Sequence, residues 1–126
     1  MPIRLDPKDV RPIYVQIMDE VRRSLVVGSL APDDPLPSVR QLASELRVNP
    51  NTVSQAYREL ERQGVVEARR GSGTFVVQSS VNGSQRATLA RDVASRALRD
   101  AHRNGLSADE LIDAIRTQSS PKKAPR

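Results

Sequence analysis

The chain has 126 residues, a formal net charge of +5 at pH 7 and no cysteine. That length holds one ordinary domain or a small domain with an extension, and the lack of cysteine excludes disulfides, thiolate zinc sites and cysteine nucleophiles. The positive balance suits a polyanionic partner without choosing nucleic acid over membrane, and it is uneven: 11 Lys/Arg against 10 Asp/Glu over residues 1–78, 9 against 5 over residues 79–126.

Residues 1–11 read as an irregular arm with Pro2 and Pro7. Pro12 suits a first helical turn, where its missing N–H is not needed. Ile13, Ile17, Val21 and Leu25 recur at i, i+4, with Tyr14 and Met18 beside them, so an amphipathic helix is expected over about residues 12–27, stopped by Gly28. Residues 29–37, SLAPDDPLP, lack a helical period and read as a proline-rich linker. Ser38 with Gln41 forms a capping box for a short helix over about 39–46, whose Val39, Leu42, Ala43 and Leu46 share a face. Asn49-Pro50 starts the next helix, with Asn49 as N-cap and Pro50 at its first position. Val53, Ala56, Tyr57 and Leu60 make its buried stripe up to Gly64. Residues 65–69 and 74–77 alternate or are β-branched, and Arg70-Gly71-Ser72-Gly73 between them makes a tight hairpin turn.

Residues 78–84, QSSVNGS, form a polar linker and the expected domain boundary. Beyond it Leu89/Ala90, Val93/Ala94, Ala97/Leu98 and Ala101 keep helical spacing up to Asn104-Gly105. Ser107 and Glu110 give a second capping box, with Leu106 and Leu111 as its staple, for a last helix over about 108–118 with Leu111, Ile112 and Ile115 inward. The tail SSPKKAPR is basic and expected to be disordered. The organisation is thus residues 1–78, 79–118 and 119–126, mainly α with a small β-hairpin wing.

Helix, short turn, helix and glycine-tipped hairpin, in that order, make a winged helix-turn-helix, a DNA-reading device. Residues 11–77 resemble the DNA-binding domain of the GntR family of bacterial transcription regulators. The resemblance is carried by LPS-x-R-x-L at Leu36–Leu42, TV-x-x-A-Y-x-x-L at Thr52–Leu60, the Gly64 turn and Arg70-Gly71-Ser72-Gly73-Thr74-Phe75-Val76. The run Val48–Val53 is similar to two branches of that family. The MocR type carries a large aminotransferase-like domain for which 126 residues have no room. The YtrA type has a short two-helix extension, which residues 87–118 resemble.

In such a motif the second helix enters the major groove and its N-terminal residues meet base edges. Here those are Asn51, Ser54 and Gln55, opposite Val53, Ala56 and Tyr57; amides can pair bidentately with adenine, and serine is permissive. Thr52, Arg58 and the free N–H groups of the helix start suit phosphate oxygens. The resemblance implies that Arg40 touches DNA, as do Arg70 and Gly71 in the wing. Many family members carry arginine where Ser54 stands, which removes a strong guanine contact, and Asp33 stands where a glycine is usual. Plainer roles compete: Arg40 and Arg58 as solvated helix residues, Asn49 and Asn51 as caps, Gly71 and Gly73 as turn residues, Tyr57 as core. Arg69-Arg70 would otherwise be a solubilising edge pair; its place at the wing favours DNA. Asn49 is favoured as a cap and Asn51, narrowly, as a DNA contact.

The two C-terminal helices have no aromatic and bury too little to stand alone. Leu89, Val93, Ala97, Leu98, Ala101, Leu111, Ile112 and Ile115 are therefore expected to pack on a second chain as a two-fold dimer, or else to dock on their own winged domain. The expected function is a homodimeric repressor on a double-stranded, inverted-repeat operator. A small effector at the dimer interface is left open, and no residue points to its chemistry. A non-specific architectural DNA-binding protein is the alternative. An RNA-binding module would show exposed aromatics for stacking, and only Tyr14, Tyr57 and Phe75 exist. No phosphate loop, metal-ligand cluster or nucleophile elbow is present, and the single histidine, His102, has no partner motif, so neither an enzyme nor a cofactor is expected. No apolar run approaches the roughly 18 residues of a membrane span, and the first residues lack a signal-peptide core. A cytoplasmic, nucleoid-associated protein without membrane contact follows.

Overall fold

Three helices begin at residues whose side chains cap a free backbone N–H. The computed structural model describes residues 3–77 and 83–119. Its elements are α1 (Ile13–Val27), α2 (Val39–Leu46), α3 (Pro50–Arg62), β1 (Val66–Arg69), β2 (Gly73–Val76), α4 (Gly83–Arg103) and α5 (Ala108–Gln118). Ser38 Oγ accepts the Gln41 N–H at the start of α2, and Asn49 Oδ1 accepts the Asn51 N–H at the start of α3, with Pro50 in the first turn. At α5 both halves of the Ser107–Glu110 capping box form. The helix expected from the spacing around Leu89 begins earlier, at Gly83. The expected polar linker falls largely, at 78–82, outside the described residues, as does the basic tail from 120 onward.

The ends of α2 and α3 follow one device. After α3 the Val65 N–H reaches Leu60 O and the Gly64 N–H reaches Glu61 O, a left-handed cap that glycine enters freely; Gly64 has φ +78°. After α2 the same pattern puts Arg47 in the left-handed region, φ +58°, with Val48 N–H on Ala43 O. This cap makes the tight turn of the helix-turn-helix, and a side-chain-bearing residue there costs about 1 kcal/mol.

The chain divides into two compact units, Met1–Leu89 and Ala90–Arg126. The division falls inside α4, beyond the 78/79 boundary expected from composition. In the first unit α3 is the central helix, packed on α1, α2 and β1. Ile17, Val21, Leu42, Val53, Leu60, Val65, Val66 and Val76 are sealed from solvent. Burying each such side chain stabilises by about 1.5–3 kcal/mol, so the aliphatic set holds α3 without a large aromatic core. Tyr57 is core, as expected, and its hydroxyl donates to Pro37 O at 2.8 Å. Burial, with the nearby Glu45 charge, holds its phenol well above the usual range.

The proline-rich stretch is more than a connector. Leu30 and Leu36 enter the core, and residues 33–36 pair antiparallel with β2. Asp33 N–H reaches Val76 O, Val76 N–H reaches Asp34 O, and Leu36 N–H reaches Thr74 O at 2.8 Å, while Pro35 stands opposite Phe75. The β1–β2 hairpin, in register Val66↔Val76 to Arg69↔Gly73, therefore gains a third edge. Pro35 fits because it is placed where no N–H is asked for.

The N-terminal arm is irregular but anchored. Gln16, buried in α1, accepts the Asp6 N–H and donates to Arg11 O. Arg11 pairs with Asp9 and Asp19, which raises its already high pKa, the Asp9 hydrogen bond foremost. Asp19 is 3% exposed and Arg22 6%; Arg22 lies 3.6 Å from Asp19 and also donates to Gln63 at the end of α3. Breaking one partner of such a buried pair strands a charge and is far costlier than losing a surface pair.

Candidate nucleic-acid interface

Asn51, Ser54, Gln55 and Arg58 fall at i, i+3, i+4 and i+7, one stripe of a helix. With Val53, Ala56, Tyr57 and Leu60 fully committed to the core, this stripe must point outward. Asn51, Gln55 and Arg58 are exposed, and Thr52 and Ser54 are half-buried. Arg40 is exposed in the first turn of α2. Val39, Ser54, Tyr57, Arg58, Glu61, Ala68 and Thr74 line one shallow groove between α2, α3 and the wing. Helix stripe and wing thus present amides, hydroxyls and cations, with the Glu61 carboxylate in the groove between them.

The start of α3 differs from expectation in one respect. The Asn51 N–H is taken by Asn49 Oδ1 at 2.8 Å, the Thr52 N–H by Asn49 O at 2.9 Å, and Pro50 has none. The first three helical positions therefore offer no spare backbone donor to a phosphate. Asn49 acts as the cap it was favoured to be, because its short amide reaches back over one turn, whereas the Asn51 side chain is left outward.

At the wing, Arg70, Gly71 and Ser72 form the exposed tip. The Ser72 N–H closes the turn on Arg69 O, and Gly71 takes φ +75°, a conformation other residues adopt only with strain. Arg69, expected beside Arg70 as a contact, is engaged within the protein. Its Nη2 donates to Asp33 Oδ1 at 2.7 Å and its Nε to Glu67 Oε2 at 2.9 Å. Its guanidinium lies 4.3 Å over the Phe75 ring. The hydrogen bonds to Asp33 and then Glu67 raise its pKa. At the C-terminal end of α3, Glu59 accepts from Arg62 and Gln63, which pulls its carboxyl down to about 2.

Two residues shape this surface in ways the sequence does not announce. Glu61 Oε2 accepts the Ala68 N–H at 3.2 Å, tying α3 to β1. Asp33 has φ +68°, so it stands in the left-handed geometry that glycine would fill more easily, and there it holds Arg69. The glycine-for-aspartate departure was the one available signal.

In the second unit α4 closes with the Leu106 N–H on Ala101 O and the Gly105 N–H on His102 O. Ala101 is buried, and Ala97, Leu98 and Leu111 are half-buried. Val93 is 53%, Ile112 41% and Ile115 52% exposed. Ile112 and Ile115, expected inward, thus face solvent in the single chain, since α5 buries no residue. Leu89, at the end of the first unit, is half-buried. Among the described residues no helix is long and apolar enough to cross a membrane, and no group of three or more His, Cys, Asp or Glu is arranged to hold a metal.

The sequence profile described as "Bacterial regulatory proteins, gntR family" matches residues 13–76, from α1 through β2. The HTH-type transcriptional repressor YtrA of Bacillus subtilis (strain 168) is 38% identical over 125 residues, covering 96% of this chain and 95% of that protein. Among solved structures, YtrA from Sulfolobus acidocaldarius, a GntR-family transcription factor, is similar with a TM-score of 0.56 and 34% identity, over 97% of this chain and 100% of that one. The AraR DNA-binding domain in complex with operator ORE1 is similar with a TM-score of 0.52 and 27% identity, over 61% of this chain and 94% of that one.

Proposed function

This chain belongs to the GntR family of bacterial regulatory proteins, in its YtrA-like branch, and from that premise we propose that it is a homodimeric repressor acting on an inverted-repeat operator. The family consists of DNA-binding transcription regulators rather than enzymes. The observation that carries the reading is the outward stripe Asn51, Ser54, Gln55 and Arg58 on a helix whose opposite face is locked in the core. An amide pair on that stripe suits adenine edges; Thr52, Arg40 and Arg58 suit the flanking phosphates, with Arg70 and Gly71 at the minor-groove side. Asn49 serves the same surface by fixing the start of α3.

The exposed Val93, Ile112 and Ile115, with the half-buried Ala97, Leu98 and Leu111, are the residues of the second unit that a second copy would cover, whereas Ala101 is already buried within its own chain. The similarity to YtrA over nearly the whole chain supports a regulator complete with such an extension. Repression would follow from occlusion: a dimer on promoter DNA denies the site to polymerase. A signal that alters the spacing or tilt of the two heads, such as a small ligand at the helical interface, would release it. The protein would act in the cytoplasm, on the nucleoid.

The reading is tested by comparing binding to a preferred duplex and to random duplex. Asn51→Ala and Gln55→Ala should flatten discrimination by about 1–3 kcal/mol at the affected base, whereas Arg40→Ala should weaken both duplexes alike. Equal losses on both duplexes for the two amide variants would remove them from base reading. An architectural protein would show no discrimination to lose.

A further inference from the structure

Two neighbouring positions on β1 are gripped by carboxylates from other elements, and both grips bear on where the wing tip points. Asp33 reaches Arg69 from the α1–α2 linker at 2.7 Å, and Glu61 reaches the Ala68 N–H from α3 at 3.2 Å. Glu67 takes a second Arg69 donor, and the Phe75 ring closes the face of the guanidinium. Residues 33–36 are themselves hydrogen-bonded to β2, so the linker and both strands meet at Arg69, and α3 joins β1 one residue away, at Ala68.

We propose that Arg69 is a positioning residue: clamped by Asp33 and Glu67 over Phe75, it sets the angle of the wing to α3 so that Arg70 and Gly71 meet the backbone of the DNA that α3 reads. This rests on the DNA-binding reading above. A planar guanidinium suits the task because it can hold two carboxylates in plane while stacking on a ring. A guanidinium with both carboxylates satisfied has little reason to exchange them for a phosphate, whereas Arg70 is exposed on the tip itself. The non-glycine residue at φ +68° at position 33 fits the same role. Its backbone is strained, and what its side chain supplies there is the ion pair.

The test is a double-mutant cycle on the full chain, read as the slope of log affinity against log salt. The probe is a duplex enriched from a random pool by the wild-type protein. Arg70→Ala should lower the slope by about 2, the loss of one phosphate contact in each head of the dimer. Arg69→Met should lower it by about the same, since the tip is no longer seated. The double variant should lose no more than either single variant. Asp33→Ala should weaken binding too, although it removes a negative charge near the DNA.

Two independent phosphate contacts per head would give additive slope losses of about 4 in the double variant, and a directly contacting Arg69 would bind more tightly once Asp33 is gone. Either result overturns the clamp and leaves the DNA-binding reading intact, as does an Arg69→Met variant that binds like wild type. Failure of the wild-type protein to enrich any duplex overturns both. Asp33→Asn removes the same charge while tolerating the left-handed φ of +68° and keeping the N–H bond to Val76 O, so with Asp33→Ala it reports on the clamp even if Arg69→Met folds poorly.

Discussion

Raising salt from about 50 to about 200 mM should weaken DNA binding roughly 10³-fold, corresponding to about six neutralised phosphates. That number has a structural basis. Of the arginines near the reading surface, Arg62 is held by Glu59 and Arg69 by Asp33 and Glu67, so neither is counted. Arg40, Arg58 and Arg70 are exposed, three cations per head and twice that for a dimer. Each neutralised phosphate releases condensed counterion, which gives a log–log slope near −5. Anisotropy titrations at a series of salt concentrations measure it. A slope half as steep would mean one head engaged, and a slope near zero would rule out backbone contact as the source of affinity.

The second large effect concerns assembly. Changing both Ile112 and Ile115 to Asp should leave each protomer folded, because both side chains are about half exposed in the single chain and α5 buries none of its residues. It should nevertheless abolish the dimer, since four carboxylates would meet across a surface that must be apolar to associate. Operator affinity should then fall by about 10³-fold, as the second head is no longer supplied at high effective concentration. Light scattering at micromolar protein reads the mass, and titration reads the affinity. A wild-type protein that scatters as a monomer, or a double variant that still binds as tightly, would contradict the assignment of these helices to dimerisation.

Local chemistry made most of the fold readable in advance. Asn49-Pro50, Ser38 and Ser107 announce their helices because a short acceptor side chain beside helical N–H groups is a local arrangement that needs no tertiary partner. The 3.6-residue spacing then separates Val53, Ala56, Tyr57 and Leu60 from Asn51, Ser54, Gln55 and Arg58, and with them the face of α3. What could not be read came from contacts between distant segments. The pairing of Asp33–Leu36 with β2 has no periodic signal, because Pro35 interrupts it and its partner lies some forty residues away. Arg69 looked like its neighbour Arg70 for the same reason. Only the placement of Asp33 beside it separates the two. Ile112 and Ile115 show the opposite limit: their spacing gives an apolar face, but not which molecule is to cover it.

The most direct measurement is enrichment and sequencing of duplexes that the purified protein selects from a random pool. The account predicts a two-fold-symmetric pair of half-sites with centres about one helical turn, roughly 10 bp, apart, and loss of the consensus at defined positions when Asn51 or Gln55 is replaced by alanine. A selected pool no different from its starting composition, with binding intact, would contradict it.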